Sequence, residues 1–99
     1  MKTLEEIKEI LLTYKNELRQ KYHIKEIGIF GSSVRNEQKE TSDLDILVEF
    51  SEGARISLLE FIHIENYLTE LLGVKVDLVE KSALKPRIGK QILKEVSYL

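Results

Sequence analysis

The chain has 99 residues, of which 42% are hydrophobic, and this supplies one modest core for a single domain spanning residues 1–99. It contains no cysteine, which excludes disulfides and thiolate metal sites and agrees with a cytoplasmic protein. No run of eighteen apolar residues is present, so we expect no membrane span. The formal net charge of −2 argues against non-specific nucleic-acid binding, which requires a broad basic surface.

The N-terminal part of the chain predicts a helix followed by a strand. Thr3 and Glu6 form the T-x-x-E pattern of a capping box, which marks the start of the helix. Apolar residues then recur at steps of three and four and form one stripe: Leu4, Ile7, Leu11, Tyr14, Leu18 and Tyr22. The helix should end near Tyr22, and the apolar run after it predicts a strand over about 25–30.

The middle of the chain predicts a second strand and a second helix. A polar loop at 36–42 precedes a strand at about 43–50. Ser57 and Glu60 then form a second capping box, which opens a helix. Gly73 stands where this helix should end, in the left-handed conformation that glycine adopts easily.

The C-terminal part predicts a third strand at 74–79 and a last helix that Pro86 can open. We expect four apolar residues of this last segment to face inward: Ile88, Ile92, Val96 and Leu99. The segment 81–99 carries five basic side chains against one acidic side chain, and it is either a solvated face or a docking surface. The order of elements predicts an α+β (mixed α/β) fold, with a small mixed β-sheet and helices packed mainly on one side.

Three aspartates are the first candidates for chemistry. Asp43 and Asp45 are two apart in a strand and therefore project from the same face, opposite the apolar residues between and after them. Two carboxylates 4 Å apart repel each other by about 4 kcal/mol at an effective dielectric of ~20, and a divalent cation with oxygen ligands would neutralise them. Asp77 lies between two apolar residues in the third strand, where a lone buried carboxylate would be costly. Three acidic side chains on central strands therefore favour a metal cluster over surface residues.

The dipeptide Gly31-Ser32, at the end of the first strand, is the second candidate. It could be only a turn from a strand into a short helix, with Ser32 as the N-cap residue. The same geometry also suits anion binding, because backbone N–H groups and a hydroxyl at a helix start can hold a phosphate. The distance in sequence to Asp43 favours the anion-binding interpretation.

These residues resemble the motif of the DNA polymerase beta-like nucleotidyltransferases, and within them the minimal nucleotidyltransferases (MNT). That family carries G-S-x-x-R-G…S-D-x-D and a third aspartate on a later strand. The matching residues of this chain are Gly31, Ser32, Arg35, Ser42, Asp43, Asp45 and Asp77. Asn36 stands where many members have glycine, and asparagine tolerates a positive φ better than most residues. The resemblance covers nearly the whole chain.

The resemblance implies a Mg²⁺-dependent transfer of a nucleoside monophosphate, from ATP or another nucleoside triphosphate, to a hydroxyl group. It assigns two Mg²⁺ ions to Asp43, Asp45 and Asp77, which would be both metal ligands and catalytic residues. It assigns nucleotide binding to a second group of residues: Gly31, Ser32 and Arg35. Without the resemblance, Arg35 could equally be an ordinary solvated residue.

The resemblance also implies a protein partner. The chain ends after the minimal fold, so we expect the acceptor to be held by another protein or by a second copy of this chain, in a homo- or hetero-oligomer. Family members of this size are typically encoded beside HEPN-domain toxins and act as antitoxins that attach AMP to a toxin tyrosine. Two alternatives stay open, namely an antitoxin that neutralises its partner by occlusion alone and a nucleotidyltransferase that modifies a small molecule.

Overall fold

A computed structural model describes residues 3–31 and 43–99 of the chain. Three α-helices are present in this part: α1 (Leu4–Tyr22), α2 (Leu58–Leu72) and α3 (Pro86–Glu95). Four strands accompany them: β1 (Ile24–Phe30), β2 (Leu44–Phe50), β3 (Val76–Glu80) and β4 (Ser97–Tyr98). The predictions for the helix after Gly31, the polar loop, Ser32, Arg35, Asn36 and Ser42 lie outside the described residues.

The four strands form one mixed sheet in the order β3-β2-β1-β4. β1 pairs antiparallel with β2 and with β4, whereas β2 and β3 run parallel to each other. The chain joins β2 to β3 through α2, which is the long crossover that a parallel pair requires. The predicted α+β fold with a small mixed sheet is therefore confirmed.

The hydrophobic core lies between one face of the sheet and the helices α1 and α2. These helices contribute fully buried side chains at the spacing of one helix face: Ile7, Leu11 and Leu18 from α1, and Ile64, Leu68 and Leu72 from α2. The sheet contributes alternate residues, which include Ile27, Ile29, Leu44, Ile46 and Val48. Two of the three helices thus pack on one side, as predicted. No helix in the described residues has the length and apolar character needed to cross a membrane.

The helix ends follow the local signals in the sequence. At the start of α1, the Thr3 hydroxyl accepts a hydrogen bond from the Glu6 backbone N–H at 3.2 Å, and the Glu6 carboxylate accepts one from the Thr3 N–H at 3.3 Å. Ser57 caps α2 by accepting from the Glu60 backbone N–H at 3.1 Å. Gly73 ends α2 with φ = 70°, in the predicted left-handed conformation.

The C-terminal segment differs in part from its prediction, although Leu99 packs against the core as expected. Ile88 does not face the core and is 59% exposed, while the only residue of α3 in the buried class is Gly89. The helix ends at Glu95, after which the chain turns back and forms β4 against β1. Gly28 permits this pairing, since a β-carbon at that position would lie 2.6 Å from a methyl group of Val96. The short strand was not predicted because two residues carry no periodicity.

The outer edge of β3 is covered by two side chains of α2. The Thr69 hydroxyl accepts a hydrogen bond from the Val76 backbone N–H at 3.1 Å. The Glu65 carboxylate accepts one from the Leu78 N–H at 2.8 Å. Both N–H groups point away from β2, since the backbone N–H groups of successive residues in β3 point alternately toward β2 and toward α2. The helix therefore holds β3 through polar contacts as well as through the core.

Candidate active site

The register of β2 and β3 brings two of the predicted aspartates together. Asp45 and Asp77 are direct partners across the parallel pair, so their α-carbons face each other on adjacent strands. Their side chains leave the sheet on the face opposite the core, because Leu44 and Ile46 on either side of Asp45 are fully buried. Neighbouring strands lie about 4.8 Å apart, so the two carboxylates can reach one ion or one substrate group.

Asp43 lies directly before β2, on the same side of the chain as Asp45. The Leu44 N–H donates to the Lys75 carbonyl at 2.8 Å and anchors the start of the strand beside β3. The Asp43 carboxylate lies 4.0 Å from the Lys75 ammonium group, and its side chain is 42% exposed. This exposed pair is loose, so the carboxylate can turn toward a bound cation at little cost.

The environment of Asp77 differs from the one predicted from the sequence. Asp77 was expected on a central strand and buried, but β3 is the outermost strand and the Asp77 side chain is exposed. Its two apolar neighbours point to the core face, and the aspartate points to solvent. A desolvation cost therefore does not argue for a metal. What supports a site is the pairing of Asp77 with Asp45.

Gly31 forms a tight corner at the end of β1 and lies against Asp45. Its φ is +81°, a conformation that residues with a side chain rarely adopt. A β-carbon built on Gly31 would overlap a carboxylate oxygen of Asp45. Glycine is thus required here for two reasons, the backbone conformation and the approach of the carboxylate to the corner. The predicted phosphate-binding corner and the predicted catalytic aspartate are in direct contact.

The donor atoms suit magnesium, although they are not gathered around a single point. Within residues 3–31 and 43–99, no three acidic, histidine or cysteine side chains are arranged to hold a metal ion. Mg²⁺ prefers oxygen ligands, takes few protein carboxylates and completes its shell with water and phosphate. Asp45 and Asp77 would hold such an ion from adjacent strands, because their α-carbons are paired.

A cavity of about 480 Å³ opens beside Asp45. The end of β1 and the start of β2 form one wall, with Phe30, Gly31 and Asp45. The opposite wall consists of five residues of α3: Arg87, Ile88, Gln91, Ile92 and Glu95. These residues were not among the site residues predicted from the sequence. The basic character of the segment and its apolar residues were visible, but their proximity to Asp45 depends on tertiary packing.

An ion-pair network holds the segment after β3 against β2. The Glu49 carboxylate lies 3.3 Å from the Lys81 ammonium group and 3.5 Å from that of Lys25. The hydrogen bond with Lys81 lowers the pKa of Glu49, and the same bond raises the pKa of Lys81. Because Lys81 directly follows β3, the network helps to maintain the register that pairs Asp77 with Asp45.

The comparison with known families matches the chain over residues 11–99 to the nucleotidyltransferase domain. The chain belongs to the nucleotidyltransferase domain family. Among the relatives of this nucleotidyltransferase is the protein adenylyltransferase MntA of Thermococcus cleftensis, which is 57% identical to it. The alignment covers 100% of this chain and 98% of the relative. The resemblance inferred from the motif is therefore confirmed.

Solved structures share the fold of this nucleotidyltransferase. A protein assigned to the minimal nucleotidyltransferases is 35% identical and superposes with a TM-score of 0.74, over 94% of this chain and 95% of its own. A chain from the complex of tri-AMPylated Shewanella oneidensis HEPN toxin with an MNT antitoxin is 18% identical. It superposes with a TM-score of 0.67, over 93% of this chain and 70% of its own. These likenesses confirm the predicted fold of the minimal nucleotidyltransferases.

Proposed function

We propose that this nucleotidyltransferase transfers AMP from ATP to a hydroxyl group of a partner protein, with Mg²⁺ as its metal. The acceptor is a tyrosine of a HEPN-domain toxin, and the transfer makes the chain an antitoxin. The name of the Thermococcus cleftensis relative, a protein adenylyltransferase, supports the reaction. The AMPylated HEPN toxin found in complex with a protein of the same fold supports the partner.

The observation that carries the proposal is the direct pairing of Asp45 with Asp77 beside the Gly31 corner. It brings the last motif residue of the nucleotidyltransferases, from a strand 32 positions later in the chain, next to the first two motif elements. Like charges directly opposite are destabilising, so a cation bound at Asp45 and Asp77 would stabilise this pairing.

Each residue then has a definite task. Asp43, Asp45 and Asp77 would hold two Mg²⁺ ions, and Gly31, Ser32 and Arg35 would hold the phosphates of ATP. Bound Mg²⁺ would neutralise the charge on the attacking and leaving oxygens. The residues themselves position the triphosphate so that the bond between the α-phosphorus and the bridging oxygen lies in line with the acceptor.

The acceptor approaches from the exposed side of Asp77. The tyrosine oxygen forms a bond to the α-phosphorus, the bond to the bridging oxygen breaks, and pyrophosphate leaves. Asp77 accepts the hydroxyl proton, and its exposed side chain on the outermost strand can be reached by another protein. A tyrosine with a pKa of about 10 needs less help from a base than an aliphatic alcohol does.

The test is to incubate the purified protein with ATP, Mg²⁺ and the product of the neighbouring gene, and then to map adducts by mass spectrometry. We expect an added AMP on a tyrosine of the partner. Asp45→Asn should reduce the transfer rate by roughly 10²-fold or more, because the residue acts on charge that develops in the transition state. Glu52→Gln is a matched control, since Glu52 lies exposed in the loop between β2 and α2.

Two outcomes would contradict the proposal. An unmodified partner that is inhibited equally by the wild type and by Asp45→Asn would indicate neutralisation by occlusion. Transfer of AMP to a small hydroxylated molecule, with no modification of the partner, would indicate a small-molecule nucleotidyltransferase.

A further inference from the structure

One face of α3 is turned toward the cavity beside Asp45 rather than toward the core. The five residues of α3 that line this cavity are Arg87, Ile88, Gln91, Ile92 and Glu95. Their spacing of one, three, one and three residues describes a single face of a helix. The apolar side chains of this face therefore form a wall of the candidate active site, which explains why Ile88 is 59% exposed.

The residues that line the cavity carry charges of both signs. Two acidic residues, Asp45 and Glu95, line the cavity together with one basic residue, Arg87. In the described part of the chain, Arg87 makes no ion pair, whereas Lys21, Lys25, Lys75 and Lys81 each do. A guanidinium group without a carboxylate partner is available for a phosphate, which it can bind through two parallel hydrogen bonds.

We propose that α3 forms the second wall of the nucleotide site, where Arg87 binds the polyphosphate tail and Ile88 packs against the adenosine portion. This inference rests on the proposed function, because it takes the ligand to be the nucleotide substrate. It assigns substrate contacts to a helix that lies outside the G-S…D-x-D motif. Arg87 and Ile88 are adjacent in sequence, so one turn of α3 would contact both the charged and the apolar part of the ligand.

The size and lining of the cavity agree with a nucleotide. Its volume of about 480 Å³ is within the range of ~300–1,000 Å³ that small-molecule sites span. Phe30, Ile88 and Ile92 supply apolar surface, while Arg87 and Gln91 supply hydrogen-bond donors. Such a mixed lining suits a ligand with one flat, weakly polar part and one highly charged part.

The same helix provides matched controls outside the cavity. Lys90 is a cation three positions from Arg87. It lines a second cavity, which shares Arg87, Gln91 and Glu95 with the first, but it does not line the cavity beside Asp45. Leu93 is an apolar residue with 43% exposure, and it does not line this cavity either. Each proposed contact can therefore be compared with a side chain of the same kind on the same helix.

The experiment measures the dissociation constants of ATP and of inorganic tripolyphosphate by calorimetry in the presence of Mg²⁺. Arg87→Ala should weaken both ligands at least tenfold, because both carry the polyphosphate. Ile88→Ala should weaken ATP several-fold and leave tripolyphosphate unchanged, since that ligand has no adenosine. Lys90→Ala and Leu93→Ala should stay within twofold of the wild type for both ligands.

Equal losses in Arg87→Ala and Lys90→Ala would overturn the inference, since they would indicate only the general positive charge of α3. Unchanged ATP binding in Arg87→Ala, or in the less disruptive Arg87→Gln, would overturn it as well. The wild type separates this inference from the proposed function. If ATP binds and the variants behave as stated but no AMP reaches the partner, only the proposed reaction fails.

Discussion

At the scale of single residues, two glycines with the same backbone conformation differ in their surroundings. Gly31 and Gly53 both have φ = +81°. A β-carbon on Gly31 would overlap the Asp45 carboxylate, whereas one on Gly53 would meet no heavy atom within 4 Å. The comparison separates the cost of the backbone conformation from the cost of displacing the aspartate.

We therefore expect Gly53→Ala to lower the free energy of unfolding by about 1 kcal/mol, the usual cost of a left-handed residue with a side chain. Gly31→Ala should cost more than this, because Asp45 must also move. Gly31→Ala should also abolish AMP transfer, whereas Gly53→Ala should leave the transfer activity intact. Urea denaturation and the transfer assay measure the two effects. If Gly31→Ala and Gly53→Ala had equal unfolding free energies and equal transfer activities, the contact between Gly31 and Asp45 would contribute to neither stability nor activity.

The protonation of Glu49 should change the free energy of unfolding as the pH is lowered. Its pKa lies below the ordinary value of 4.5 in the folded protein, chiefly because of the hydrogen bond with Lys81. A carboxylate with a lowered folded pKa stabilises the protein above its unfolded pKa, and this contribution is lost as the pH falls through the folded pKa.

Glu49→Gln should accordingly lower the free energy of unfolding by roughly 1 kcal/mol at pH 7, as expected for a partly exposed ion pair. The difference from the wild type should stay constant down to about pH 5 and shrink as the pH falls further, first because the carboxylate of the unfolded chain becomes protonated and then because the folded one does, at its lowered pKa. Denaturation series at several pH values test this. A difference that persists undiminished at pH 2 would mean that packing, and not the charge, is responsible.

At the scale of elements, the sequence predicted those features that depend only on residues close together in the chain. The starts of α1 and α2 and the end of α2 at Gly73 follow from capping side chains and from glycine, which act within one turn. The surroundings of α3, in contrast, depend on how the rest of the chain packs. Its apolar residues have the spacing of a core helix, and only the tertiary structure shows that Ile88 faces a cavity.

The candidate site divides in the same way. The Asp43-x-Asp45 pattern places two carboxylates on one face of a strand by local geometry alone. The pairing of Asp45 with Asp77 agrees with the prediction that the three act together, but the strand order that leaves Asp77 exposed could not be derived from local patterns. The roles of Asp43, Asp45, Asp77, Gly31, Ser32 and Arg35 in binding and catalysis remain predictions.

The contact between α2 and β3 provides a prediction at this scale. Thr69→Val keeps the shape of the side chain but removes the acceptor for the Val76 N–H. Leaving a part-buried donor unsatisfied should cost about 1–3 kcal/mol in the free energy of unfolding. Thr13→Val is the control, because the Thr13 hydroxyl donates to a carbonyl of its own helix just as Thr69 does, at 2.9 Å and 3.0 Å respectively. Similar unfolding free energies for both variants would show that the bond to Val76 is dispensable.

At the scale of the whole molecule, we expect charge to control the encounter with the proposed nucleotide substrate. The protein has a net charge of −2, and Asp43, Asp45 and Asp77 stand on the face that would receive a triphosphate. Without a divalent cation, these carboxylates should repel the ligand.

Calorimetry should consequently show ATP binding in Mg²⁺ and little or none in EDTA. Asp45→Asn removes one of the three negative charges. It should therefore reduce the difference between the ATP affinity in Mg²⁺ and the ATP affinity in EDTA. The same titrations with Glu52→Gln should match the wild type. Equal affinity of the wild type for ATP with Mg²⁺ and with EDTA would remove the metal from the mechanism.

The cover that α2 provides over β3 also restricts how this protein can assemble. An incoming strand that extended the sheet at β3 would have to displace Thr69 and Glu65 from the Val76 and Leu78 N–H groups. Such β-augmentation is a common way for proteins to capture extended peptides, and also the first step of edge-to-edge aggregation. The helix thus prevents another strand from pairing with the outer edge of β3, the strand that carries Asp77. A partner that presents its hydroxyl to this strand is directed to the face of the sheet, where the carboxylates are, and kept from its edge.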